Sequence, residues 1–402
     1  MEAVESAARQ HAESPGRRAT VVGAGIAGLA AALRLRQQGW DIVVIEHAPS
    51  RRSSGYLVNL HGPGYAAAER LGLLPALTPR DIGFFTSVLV HADGREKLTI
   101  PAAFTEAAVG GRALSLFRGD LESALYDAVA EFADIRFSTT VRAIAQTPGE
   151  VDVTLSDDTH LRTDLLVGAD GVHSRVRELV FGSEPEYFVD LGHMVGAFPL
   201  ETPPAHMPDG VGTTYIGPGR TAAVMNLGPE RSSAFFAYRC PDSDADLALG
   251  AAPALARAFG DLGGGVADAL GQLDADPGIA YFDSVGQIVM DRWSRGRVVL
   301  LGDAAWCVTV FAGYGAALAL DGADQLGSAL AAHGDDIPAA LDAWETALRP
   351  EVIKRQALAR RGISRFAPPS RTHVWAGEMM LRAIQLPGIR GLVRRSIQRA
   401  NN

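Results

Sequence analysis

Three clusters of glycine and acidic residues, each placed where an apolar run stops, carry the chemistry legible in this chain. In the first, Ala19-Thr-Val-Val ends at Gly23, and Gly25 and Gly28 complete a G-x-G-x-x-G pattern. Gly23 suits a tight turn, Gly25 lets the backbone approach a pyrophosphate, and Gly28 allows close packing of helix on strand. The following helix would offer its free N–H groups and positive dipole end to those phosphates. Glu46, about 20 residues on, closes a second apolar run, where an acid can hold ribose hydroxyls. The triplet alone would say little; inside a strand–turn–helix–strand unit it points to a dinucleotide.

The second cluster is Asp164-Leu-Leu-Val-Gly-Ala-Asp-Gly-Val-His-Ser-Arg-Val-Arg177. A buried strand stops at Gly168, Asp170-Gly171 turns the chain, and a helix starts around Ser174. Asp170 and that helix start can bind hydroxyls or phosphates, and Arg175 and Arg177 can pair with Asp170 or with a phosphate. The third is Arg297-Val-Val-Leu-Leu-Gly-Asp-Ala-Ala305, continued by Phe311-Ala-Gly-Tyr-Gly-Ala-Ala-Leu318. Asp303, just past a strand, can accept hydrogen bonds from a sugar-alcohol chain. The loop through Gly313 and Gly315 opens a long Ala/Leu helix whose first N–H groups, at Gly315, Ala316 and Ala317, would stabilise a ring that turns anionic on reduction.

The elements that must position these clusters alternate between two patterns. Arg17 to about Leu74 holds the βαβ unit and a helix, Pro63 to Leu71. A strand-like stretch, Phe84 to Ile100, turns at Asp93-Gly94, and Arg118 to Phe132 reads as a helix from Leu121, Leu125, Val129 and Phe132. Val141–Ala145, Val151–Leu155 and Leu161–Val167 read as strands. Glu184 to about Tyr281 carries alternating strand pieces and then a helical stretch around Asp246–Phe259, which suggests an antiparallel sheet with one face open to a ligand. The pattern predicts an α/β fold: a discontinuous Rossmann-like domain from residues 17–74, 100–183 and 283–365, and a substrate domain from 75–99 and 184–282. A disordered lead over 1–16 and a helical segment over 366–402 complete it.

Bulk properties narrow the function class. The chain has 402 residues, 47% hydrophobic and 21% charged, within the range of ordinary globular proteins. No apolar run is long enough to span a bilayer, and the N-terminal stretch lacks the apolar core of a signal peptide. Two cysteines, Cys240 and Cys307, do not make a disulfide framework and fit a reducing cytoplasm. The ten histidines show no metal-ligand spacing, so no metal site is expected. From Arg349 onward twelve Lys/Arg face two Asp/Glu, which leaves −19 on the rest of a chain with net charge −9. So acidic a body argues against nucleic-acid binding.

Together the three clusters resemble, in order and spacing, the flavoprotein monooxygenases of the para-hydroxybenzoate hydroxylase type. The resemblance covers about Arg17 to Leu330. It implies FAD in an extended pose and the family's fold. The family's diphosphate turn falls on Gly23 to Gly28, with Ala27 inside it; its adenosine-ribose acid falls on Glu46, and its neighbouring basic residue on His47. The arginine that opens the helix after the first excursion falls on Arg118, the adenine backbone contact on Val141, and the ribityl aspartate on Asp303. Asp170-Gly171 falls on the motif that serves both FAD and reduced nicotinamide. Two positions depart: Trp306 and Val310 stand where many members have His and Pro. Val310 restores a backbone N–H beside the flavin ring.

The resemblance further implies that NADPH or NADH reduces FAD as a transient visitor, since only one dinucleotide fingerprint is present. O2 then adds to give a C4a-hydroperoxyflavin that hydroxylates or epoxidises a lipophilic aromatic or polyketide-like small molecule. No protein nucleophile is needed. A cyclisation or rearrangement without net oxidation is the alternative, motivated by Trp306 and Val310. The pocket is expected between flavin and inserted sheet, with Tyr56 and Phe311 on one side and Tyr215, Asn226, Phe236 and Tyr238 on the other. A monomer or homodimer is expected.

Overall fold

The computed structural model describes residues 16–51, 56–103, 106, 112–228 and 231–384. The expected lead over 1–16 falls almost wholly outside them, as do the last 18 residues of the C-terminal segment.

The β-branched run Arg18–Val22 sits between Asp41–Ile45 and Leu165–Gly168 in a six-stranded sheet. Arg18–Val22 pairs in parallel with both neighbours, as does Leu165–Gly168 with Val298–Leu300, whereas Val298–Leu300 pairs antiparallel with the short edge strand Ser294–Arg295. Their apolar side chains are buried on both faces, as such a sheet requires. The register brings Ile45, Val22, Gly168 and Leu300 into one row. Every cluster singled out above begins within three residues after that row. Four distant sequence segments therefore emerge side by side at the carboxyl edge, where open α/β sheets bind ligands.

A seven-stranded sheet runs in the order Tyr281–Ile288, Phe188–Leu200, Ser232–Arg239, Arg220–Asn226, Val211–Gly217, Thr86–Val90, Glu96–Ile100. Five of its junctions are antiparallel. The sixth, Val211–Gly217 with Thr86–Val90, is parallel, because it joins strands from two separate excursions of the chain. One face packs against the helices Ala251–Phe259 and Gly265–Ala275 to make a second core around Phe198, Phe236, Phe259 and Leu273. Gly250, at φ 90°, breaks the helical stretch expected around Asp246–Phe259 into Ser243–Leu249 and Ala251–Phe259. The run expected as one strand, Leu161–Val167, splits at Asp164, whose carboxylate accepts from the Arg18 N–H at 2.8 Å. Its first half pairs in a three-stranded sheet and its second half enters the parallel one.

Buried amides tie the two sheets. Gln287 donates from Nε2 to the carbonyls of Val308 and Gln356. Gln356, on the long helix Ile337–Phe366, donates to Ile288 O at 2.8 Å and, more weakly, to Trp306 O and Cys307 O. Arg360 closes the group on Gln287 Oε1 at 2.5 Å. This network holds the loop 306–310 between strand Tyr281–Ile288 and the helix. Trp306 itself packs into a ring cluster with Trp293 and Trp344, centroids 4.7 and 5.8 Å away. Gln356→Leu would remove the donor that Ile288 O, Trp306 O and Cys307 O share in the interior, and stability should fall by about 2–3 kcal/mol. Urea unfolding of the variant measures it; an unchanged midpoint would remove the network from the account.

Candidate FAD and substrate site

Two glycines let the clusters close on one another. Gly23 has φ +103°, and a Cβ there would lie 2.3 Å from Ala169 O. Gly302 has φ +66°, and a Cβ there would meet the Ala27 side chain at 2.7 Å. Any side chain at either place would push a motif away from its neighbour and strain the turn. The result is one cavity of about 700 Å³ between the parallel sheet's edge and the inserted sheet.

Two helices start on this cavity. Ile26–Arg36 begins after Gly25 and Gly315–His333 after Tyr314, and no side chain caps either. Their first-turn N–H groups thus lack intrahelical acceptors and aim positive dipole ends at the space between. Arg118 lies beside the first: a Cβ on Gly25 would sit 3.9 Å from its guanidinium, which pairs with Glu122 at 2.7 Å. Glu46 is oriented by its own turn, accepting from Ala24 N and Ala48 N at 2.8 Å each. His47 stands 3.0 Å from that carboxylate. Asp303 opens onto the cavity, and burial in the surrounding protein pushes its carboxyl above the usual carboxylate range.

These surroundings fit an extended dinucleotide. Gly23, Gly25, Ala27, Glu46 and His47 line it, with Arg51, whose guanidinium lies 4.3 Å over the Tyr126 ring. Asp303, Gly313, Gly315, Ala316, Tyr56 and Phe311 line it too, as does Arg118, whose backbone N–H donates to Tyr56 O at 3.0 Å. The cavity holds two positive helix ends for a diphosphate and a reducible ring, and two carboxylates for sugar hydroxyls. Cys307 also lines it, but burial raises its thiol well above the ordinary range, so it stays protonated and offers no nucleophile. Burial likewise pushes the Tyr56 phenol up to about 12. Among the described residues no cluster could hold a metal ion.

Several expected contacts lie elsewhere. Gly28 faces its own turn: a Cβ there would stand 1.9 Å from Gly23 O, so it shapes the site without lining it. Val141 is buried and is not among the cavity-lining residues. Ala317 packs on Gly64. Asp170 reaches the cavity, but its oxygens already accept from Ser174 Oγ at 2.5 Å and Val176 N at 3.0 Å. Neither arginine pairs with Asp170. Arg175 takes Glu178, and the fully buried Arg177 donates to Val172 O, Ala304 O and Glu184. Arg177 thereby ties the Asp-Gly turn to the helix that starts at Asp303.

The expected sheet wall is on the wrong face. Tyr215, Ala222 and Phe236 are cross-strand neighbours, and they and Tyr238 pack into the helix-covered core. Asn226 is spent on Met207 O and Asp209 at 2.8 and 3.1 Å. Their chain neighbours Ala223, Met225 and Phe235, with Val195 and Val285 of the two adjoining strands, line the cavity instead. Strand alternation was legible, but the choice of face is set by which side the later helices cover. Asn59, Tyr281 and Phe366 also line the cavity and carried no motif that marked them.

Asp303→Ala should weaken FAD binding about 10- to 100-fold, the loss expected for hydrogen bonds to a charged group. Titration of the apoprotein by flavin fluorescence measures it, and an unchanged affinity would take Asp303 out of the site. A second expectation concerns His173, which stands 3.5 Å from Asp283 and 2.8 Å from Glu184. Those carboxylates raise it from 6.5 to about 9. A raised folded-state value means that its charge stabilises the fold fully below pH 6.5 and ceases to do so as pH climbs through about 9. The stability gap between the wild type and His173→Gln should therefore shrink across that window; a gap that widens with pH would contradict the assignment.

Comparison with known proteins agrees with this geometry. A family model described as an FAD binding domain matches residues 18–355. The 3-amino-4-hydroxybenzoate 2-monooxygenase of Streptomyces cremeus is 28% identical over 379 residues, covering 92% of this chain and 93% of that protein. The structure of Klebsiella pneumoniae HpxO complexed with FAD and uric acid superposes with a TM-score of 0.77 at 25% identity, over 95% of this chain and 97% of that one. Tetracycline destructase Tet(51) shares the fold, with a TM-score of 0.78 at 24% identity over 96% and 97% of the two chains. With its fingerprint turn, its two acids and its open helix ends on one cavity, the chain belongs to the FAD-dependent group A flavoprotein monooxygenases and is an oxidoreductase.

Proposed function

We propose that this enzyme uses NAD(P)H and O2 to hydroxylate or epoxidise a neutral, lipophilic aromatic or polyketide-like molecule. The observation that supports this most is the apolar sheet wall. Val195, Ala223, Met225, Phe235 and Val285, with Phe311 opposite, are apolar, and the charged group that these strands add to the cavity, Asp283, is an acid and not a cation. A carboxylate placed there would lose its hydration with no cation to replace it. A flat apolar molecule would release water from both surfaces.

FAD, when bound, supplies electron transfer from the reduced nicotinamide and the activation of O2. The chain's own residues bind, orient and exclude water. The two open helix ends and Arg118 balance the anionic parts of the coenzyme. Glu46 and Asp303 fix its sugar hydroxyls. The sheet wall keeps the reacting end dry. Thr309 directs the loop beside it: its backbone is held at φ +82°, unusual for a β-branched residue, and its Oγ1 accepts from Phe311 N at 3.0 Å. The nicotinamide donor visits transiently. Two unpaired cysteines suit a reducing cytoplasmic setting.

Rearrangement without net oxidation is the second reading. Trp306 no longer motivates it, since that ring is spent on packing; Val310 does, because it lines the cavity where a proline was expected. Parallel measurements of NAD(P)H oxidation and O2 uptake separate the two. Neutral bicyclic phenols should stimulate both by tenfold or more on the purified FAD-loaded enzyme, and benzoates should not. No stimulation by any neutral aromatic, or stimulation by benzoates alone, would overturn the first reading.

A further inference from the structure

The family match ends at residue 355, yet the cavity wall continues beyond it. Phe366, the last residue of the long helix Ile337–Phe366, closes the substrate end. Its ring stacks on Phe311, with centroids 4.7 Å apart and planes inclined by 21°. Phe311 belongs to a small apolar cluster with Val195, Ala237 and Val285 of the inserted sheet, and Phe366 packs against that cluster. Phe311 is 7% exposed, whereas Phe366 is half-buried. Phe366 thus lines the cavity while remaining only partly covered.

The ring is also held in place from two sides. Ala367, buried, donates its N–H back to Ile363 O at 3.1 Å. Pro368 O accepts from Gly219 N at 2.6 Å. Gly219 lies in the turn between strands Val211–Gly217 and Arg220–Asn226, so the helix end is pinned to the sheet that forms the opposite wall. Two following prolines, Pro368 and Pro369, stiffen the exit. A ring fixed beforehand pays little ordering entropy when a ligand meets it.

We infer that Phe366 is a specificity-determining residue: with Phe311 it forms a two-ring stack that the ring of a neutral planar aromatic substrate extends. This rests on the aromatic-substrate reading above and adds the residue that selects the ring. Aromatic pairs at centroid separations of about 4.5–7 Å gain energy beyond the area they bury, which a saturated ring of equal size does not. The selecting group comes from a segment outside the family match, so membership alone does not prescribe it.

Calorimetric titration of the FAD-loaded, full-length protein with 2-naphthol and with decahydro-2-naphthol tests the inference without turnover. Phe366→Leu keeps an apolar side chain and removes the ring. It should weaken 2-naphthol about three- to tenfold, leave decahydro-2-naphthol within about twofold, and leave FAD affinity unchanged. Phe366→Ala should weaken both alcohols. Unaltered 2-naphthol binding by Phe366→Leu, equal loss of both alcohols in that variant, or no binding of 2-naphthol by the wild type would each overturn it. Failure of naphthol to stimulate O2 uptake while it binds in a Phe366-dependent way would count against the monooxygenase reading alone.

Discussion

The site depends on close approach at two glycines, one against backbone and one against a small side chain. Gly23 and Gly302 let the ends of adjacent parallel strands approach Ala169 and Ala27 more closely than any side chain permits. Strand pairing had already aligned Val22, Gly168 and Leu300 in one row, so the closure needs no long-range adjustment. What it produces is electrostatic. Two helices begin uncapped on the same cavity, and two acids, Glu46 and Asp303, line it. Neither helix start has a side chain to satisfy it, so an anionic ligand is the natural complement.

The inserted sheet supplies the opposite requirement, an apolar surface. Its two faces are both hydrophobic, but for different reasons. One carries Phe198, Phe236 and Phe259 against helices and holds the domain together. The other carries smaller groups, Val195, Ala223 and Ala237, with Phe235, and leaves room. The buried Gln287–Gln356 pair, closed from the surface by Arg360, holds the loop that leads to Phe311 against the strand Tyr281–Ile288. Polar groups are costly there unless fully paired, so the network favours a single arrangement of loop, strand and helix.

Much of this was legible because strand ends and glycine spacing are local signals. Gly23, Glu46, Asp170 and Asp303 each follow an apolar run, and a parallel sheet must bring such ends together. The fold class followed from the same pattern. What stayed hidden was relational. Period-two alternation separates Phe235 from Phe236 but says nothing of which one the helices Ala251–Phe259 and Gly265–Ala275 will cover. Arg177 looked like a phosphate ligand because its charge was visible and its burial was not. Trp306 looked like a change at the reaction centre, until its ring was found against Trp293 and Trp344. Phe366 had no motif at all: its place depends on the length of a 30-residue helix and on one hydrogen bond to a distant turn.

Hydrogen–deuterium exchange with and without FAD tests the central claim most directly. One extended coenzyme spanning both helix starts should slow exchange at Ile26–Gly28 and at Gly315–Ala317 together, with the same dependence on FAD concentration. Protection at only one of these segments, or at neither, would contradict a single ligand stretched between them.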